Sequence, residues 1–202
     1  MKKVKICGIT EIEEAEYLNE ARTDYAGFVQ FFPQSKRNIS PQKASSIIKE
    51  LDSGILPVAV TVCPTAEQLH IIEQTGFRIV QIHGNISDAL LDSISIPIIK
   101  AFNVSDLSQY ERFQKNDRVI GYIFDAQAPG EGKTFDWSLL KNIPLDTKPA
   151  LLAGGLTPEN VAAALKATGL WGADTSSGVE NDNGIGKSRK KIMEFVKAVH
   201  SV

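Results

Sequence analysis

What most constrains this chain is an alternation. A short β-prone run is followed by a stretch of helical periodicity, and the pair recurs eight times in 202 residues. The β-prone runs fall at residues 4–10, 25–31, 56–62, 79–83, 97–104, 119–124, 150–153 and 170–175. The run at 56–62 is apolar almost throughout, as a strand buried on both faces is. Between the runs, apolar residues recur at helical spacing, as with Ile12, Ala15, Leu18 and Ala21 in residues 11–21. Ile192, Phe195, Val196 and Val199 make the same stripe in the last stretch, residues 187–202. Start signals precede several of these stretches: Ser40 before Pro41, Pro64-Thr65, Ser87, Ser105, and Thr157 before Pro158. Another helix is expected to start at residues 137–140. Alternating βα units imply a parallel sheet. Eight of them, at roughly 25 residues each, predict an α/β single domain over residues 1–202, the closed (β/α)8 or TIM barrel in a compact form. The rival is an open doubly wound sheet. It normally has fewer strands and a glycine-rich turn after the first, which Cys7-Gly8-Ile9-Thr10 is not.

Charge and composition then exclude whole classes. A net charge of −2 supplies no basic field for nucleic acid. No apolar run approaches the ~18 residues of a membrane span, and the basic N-terminus is not followed by a signal-peptide core. Cys7 and Cys63 lie far apart, and His70, His83 and His200 form no metal-ligand spacing. Free thiols in a reducing, cytoplasmic setting, with no visible metal cluster, are the expectation.

In a barrel every strand ends at one mouth, so residues distant in sequence converge there. Cys7 closes the first strand, where it is either a reactive thiol or a small buried hydrophobe. Asp125 closes the sixth, as either a barrel-mouth catalytic group or the first residue of a loop, and precedes residues 126–135, long enough for a flap or a plain exposed connection. Gly154-Gly155 ends strand seven and Ser176-Ser177-Gly178 ends strand eight, and either loop alone could be ordinary turn chemistry. Loops after those two strands hold phosphate in many such barrels, because bare backbone N–H groups and a helix start favour an anion. Arg37 is either a carboxylate fork or a solvated surface charge. His83 either lines the pocket or is a hydrogen-bonded structural histidine, and Cys63 reads as structural.

Seven stretches, in order, then carry a resemblance. They are residues 5–10 (KICGIT), 27–29 with 35–40 (GFV, SKRNIS), 80–84 (VQIHG), 99–102 (IKAF), 133–137 (KTFDW), 152–161 (LAGGLTPENV) and 176–180 (SSGVE). With these the whole chain resembles the phosphoribosylanthranilate isomerases of tryptophan biosynthesis. The resemblance implies an Amadori rearrangement of a phosphorylated aminoaldose to an aminoketose. Cys7 would be the general base and Asp125 the general acid, with Arg37 on the anthranilate carboxylate. The loops with Gly154, Gly155, Ser176, Ser177 and Gly178 would hold the phosphate, and His83 would line the substrate pocket. The implied partner is a small phosphorylated substrate, with no metal, no cofactor, no nucleic acid and no membrane, for a monomer or homodimer. The chain departs from the usual family pattern at Thr61, Cys63, Asn103, Glu131, Thr175 and Ser188. Two other readings therefore stand beside the first: a sugar-phosphate isomerase of altered substrate range, and an inactive phosphate-binding barrel.

Overall fold

The computed structural model describes residues 1–103, 107–125, 137, 140, 143 and 147–202. Its eight strands are β1 (Lys3–Cys7), β2 (Tyr25–Val29), β3 (Leu56–Val62), β4 (Ile79–His83), β5 (Ile98–Asn103), β6 (Val119–Asp125), β7 (Ala150–Leu152) and β8 (Gly172–Thr175). They pair in sequence order, all parallel, and β8 closes on β1. The barrel is therefore closed and the open sheet is excluded. Around it run α1 (Ile12–Ala21), α2 (Pro41–Ile48), α3 (Ala66–Thr75), α4 (Asp88–Ser93), α5 (Tyr110–Gln114), α6 (Val161–Thr168) and α7 (Arg189–His200).

Alternate strand residues face opposite sides, and that separates two cores. Val58, Val60, Ile79, Ile99, Ala101, Ile123, Leu151 and Ala153 fill the barrel interior. Val4, Ile6, Phe28, Ile82, Phe102 and Phe124 point outward and meet helix residues such as Leu18, Ile47, Leu69 and Phe195. Helix starts follow side-chain chemistry. Ser40, Thr65, Ser87 and Ser188 each accept a backbone N–H from the first turn, satisfying donors that a helix leaves open.

Several boundaries differ from expectation, with β1 ending at Cys7 rather than residue 10, and two differ for evident local reasons. β2 ends at Val29 rather than residue 31, because Phe31 takes a left-handed backbone (φ 57°). α6 begins at Val161, three residues after Pro158. The Asn160 carboxamide accepts from Thr157 N–H at 2.8 Å and donates to Gly155 O at 2.9 Å, closing a separate turn first. The expected flap at 126–135, the cap at Ser105 and most of the helix start at 137–140 lie outside the described residues.

Candidate active site

β1 delivers Cys7 to the C-terminal mouth, and strand parity places Lys5 on the same inward face, two residues below it. The ladder sets Lys5 beside Asp174 of β8. The Lys5 ammonium donates to both Asp174 oxygens at 3.0 Å. Lys5 is fully buried and Asp174 nearly so. Across the next ladder Cys7 pairs with Gly27. A Cβ on Gly27 would lie 2.9 Å from Lys5 Nζ and 3.0 Å from Cys7 Sγ, so the bare backbone makes room for both. Burial pushes the Cys7 thiol above its ordinary pKa; Lys5 draws it down, Asp174 pushes it up, and Lys187 draws it down. Burial also pushes the Asp174 carboxyl up, but the two equal contacts from Lys5 favour the charge-separated pair.

A second network steers the guanidinium. The Arg37 chain crosses Gly8, where a Cβ would collide with its Cδ. Arg37 Nε donates to Glu180 Oε1 at 2.6 Å, and Lys36 donates to Oε2 at 2.8 Å. Burial raises the Glu180 carboxyl, yet Lys36, Arg37 and Lys187 together hold it below its usual value. Among the described residues no hydrogen bond occupies the terminal nitrogens of Arg37, which lines the cavity. Lys187 donates to Ser176 O at 3.0 Å and Oγ at 3.2 Å, and Ser176 Oγ donates to Cys7 O at 2.9 Å. Burial pushes the Lys187 ammonium down to about 8, with Glu180 opposing it.

The loops after β7 and β8 meet beside these groups. Gly154 (φ 91°) and Gly155 (φ 63°) take left-handed backbones in succession, which glycine permits. Among the described residues, the amides of Gly154, Gly155 and Ser177 donate to no acceptor. These three residues are half-buried and line the cavity, so their amides are available to an anion there. Thr175 Oγ1 donates to Leu156 O at 2.6 Å and ties the loops together. Gly178, expected at the site, does not line the cavity. It lies where a Cβ would collide with the Leu156 carbonyl, and it lets the two loops approach.

Cys7, Arg37, His83, Asp125, Gly154, Gly155, Ser176 and Ser177 all line one cavity of about 160 Å3. Gln81 faces it as well, and its Nε2 meets His83 Nε2 at 2.8 Å. Burial, Lys100 and Lys5 push the His83 imidazole down to about 3, so it is neutral at physiological pH. A second lobe of about 350 Å3, between the β4 and β5 ends and α5, shares Phe32, Val62 and His83 with the first. Asn103 lines that lobe; Thr61 and Cys63 line neither. Glu131 lies outside the described residues. Lys5, Asp174 and Glu180 were not foreseen as site residues. The available signal was a lysine two places before Cys7 in an apolar strand, and an aspartate inside another.

Fold and mouth together define a (β/α)8-barrel enzyme, with its reactive groups at the strand ends. A model of the family described as N-(5'phosphoribosyl)anthranilate (PRA) isomerase matches residues 4–198. The N-(5'-phosphoribosyl)anthranilate isomerase of Geotalea uraniireducens is 40% identical over 205 residues, covering 98% of each chain. The phosphoribosyl anthranilate isomerase structure from Thermotoga maritima superposes with a TM-score of 0.87 at 36% identity, covering 100% of both chains. A phosphoribosyl anthranilate isomerase in complex with reduced 1-(o-carboxyphenylamino)-1-deoxyribulose 5-phosphate gives 0.84 at 35% identity, again over 100% of both. The chain belongs to the N-(5'-phosphoribosyl)anthranilate isomerase family.

Proposed function

We propose that the protein isomerises N-(5-phosphoribosyl)anthranilate to 1-(2-carboxyphenylamino)-1-deoxyribulose 5-phosphate, the Amadori step of tryptophan biosynthesis, in the cytoplasm. The observation that carries this is one cavity holding a thiol, a carboxyl, a guanidinium and two anion-seeking loops. A solved relative bound to a reduced form of that product supports the substrate class.

The chemistry follows from the groups. The amides of Gly154, Gly155 and Ser177 hold the phosphate, with the Ser176 and Ser177 side chains beside them. Arg37, steered by Glu180, presents its fork to the anthranilate carboxylate. Asp125, protonated, gives its proton to the ribose ring oxygen as the ring C1–O bond breaks and the anilino nitrogen forms a protonated imine at C1. The substrate's own phosphate and carboxylate favour a protonated Asp125, since like charge disfavours ionisation. The imine acidifies the proton on C2, and the Cys7 thiolate removes it to give an enolamine. Tautomerisation of the enolamine then gives the ketone. Neutral His83 offers a hydrogen bond to the sugar without adding charge beside Lys5 and Lys100.

The test is the decay of anthranilate fluorescence with freshly made phosphoribosylanthranilate. Wild type should consume the substrate, and the Cys7→Ala variant should not. A folded wild-type protein with no activity would overturn the assignment.

A further inference from the structure

Lys5 and Asp174 form a pair that a stability argument does not explain. Burying two opposite charges costs several kcal/mol of desolvation per ion, and apolar residues of like volume often serve as well or better. Yet the pair sits inside the barrel, directly below Cys7, and the fold has made room for it. Gly27 lacks the Cβ that would crowd both Lys5 Nζ and Cys7 Sγ. Both ladders of β1 are in the register that brings Lys5 to Asp174 and Cys7 to Gly27.

Facing the thiol are Lys5 from its own strand, Asp174 from β8 and Lys187 from the segment before α7. Asp125 from β6, His83 from β4 and Arg37 after β2 line the same cavity. Lys187 already gives hydrogen bonds to Ser176 and lies 3.6 Å from Glu180. Lys5 is therefore the cation most fully committed to the Cys7–Asp174 corner.

We propose that Lys5 and Asp174 are positioning residues of opposite sign for the proton-accepting thiolate of Cys7. Lys5 holds the thiolate in place and favours it by charge. Asp174 keeps Lys5 an ammonium, and competes with the thiolate for it. The competition restrains the base: a thiolate too strongly held by its cation would be a poor proton acceptor. This rests on the assignment of Cys7 as base, and it deepens that assignment.

The two residues make predictions of opposite sign. Removing the cation with Lys5→Met should move the acid limb of kcat/KM up by about one pH unit or more, as loss of an adjacent opposite charge does. Asp174→Asn leaves the Cys7 thiolate as the anion that Lys5 faces, so the limb should move down. The same shifts should appear without turnover, in the pH dependence of Cys7 alkylation by iodoacetamide in a Cys63→Ser background. If either variant fails to fold, Gly27→Ala keeps both charged groups while adding a methyl that crowds Nζ and Sγ apart, and should move the alkylation midpoint up. Limbs that stay put, or move the same way in the Lys5 and Asp174 variants, would overturn the proposal. Alkylation reads the thiol directly, so it separates this failure from failure of the base assignment. A Cys7→Ala variant with normal turnover would remove the base, whatever the alkylation shows.

Discussion

The two cysteines are a comparison built into the molecule. Both close a strand at the same mouth, Cys7 on β1 and Cys63 just past β3. Cys7 points into the barrel, among Lys5, Asp174 and Lys187. Cys63 turns outward. It is exposed, its backbone is left-handed (φ 46°), and its sulfur accepts the Asn85 N–H at 3.3 Å. The same side chain thus faces the cavity and its charged neighbours at one strand end and serves turn geometry at another. The difference lies in strand parity and in the charges that register delivers, not in position along the strand.

The sharpest way to break the comparison is the same substitution at both thiols. Cys7→Ser replaces a thiol with a hydroxyl that is far harder to ionise, and should cut turnover by two or more orders of magnitude, roughly the full contribution of a general base. The fold should survive, as judged by circular dichroism. Turnover near wild type would strip Cys7 of its role. Asp125→Asn should cost a comparable factor, about 100-fold or more, because the amide cannot protonate the ring oxygen. A ring-opened substrate analogue should recover most of that loss if ring opening is the step affected.

Arg37 extends the contrast from proton transfer to binding. Arg37→Lys keeps the charge and gives up the planar fork that Glu180 orients. The expected result is a rise in KM of about 10-fold, the worth of one charge-assisted hydrogen bond, with kcat little changed. A fall in kcat at constant KM would move Arg37 from substrate holding to the chemical step.

Much of this was legible in the sequence, and the reason is periodicity. Strand and helix stripes depend on near neighbours, so eight βα units could be counted and β3 and β4 bounded correctly from residues 56–62 and 79–83. Cys7, Asp125, Arg37 and the two loop motifs were legible as candidates because they stand at strand ends or at turns. What stayed hidden depends on register. Lys5 meets Asp174 across 169 positions, and Arg37 meets Glu180 across 143. No local pattern says that a lysine in Val-Lys-Ile-Cys is buried against a carboxylate rather than at the sheet surface. Gly178 shows a related limit: it stands behind the cavity lining, where its bare backbone lets two loops touch. Turn residues look alike in sequence, whether they bind a ligand or let two loops touch.

His83 yields a smaller effect, on stability. Its folded pKa of about 3 lies below the ordinary value of about 6.5, so below pH 6.5 the unfolded chain binds more protons. Stability from the neutral ring is fully present above that value and falls as pH drops toward 3. The ring is only partly buried, so a loss of about 1–2 kcal/mol by pH 5 is expected. It should appear as a falling urea midpoint between pH 6.5 and 5, and His83→Gln should flatten that slope. An unchanged slope would mean that other groups govern the acid side.

Cys63→Ser closes the comparison with the smallest effect. A serine hydroxyl can still accept the Asn85 N–H, the side chain is exposed, and no cavity wall is lost. Stability should stay within about 0.5 kcal/mol of wild type, the range of ordinary surface changes, and turnover should be unchanged within error. A loss of activity on the scale of Cys7→Ser would show that the β3 end reaches the substrate, through the second lobe that Val62 and Gly84 line beside it. Strand parity would then have misjudged which thiol matters, and Asn103, across that lobe, would be the next residue to change.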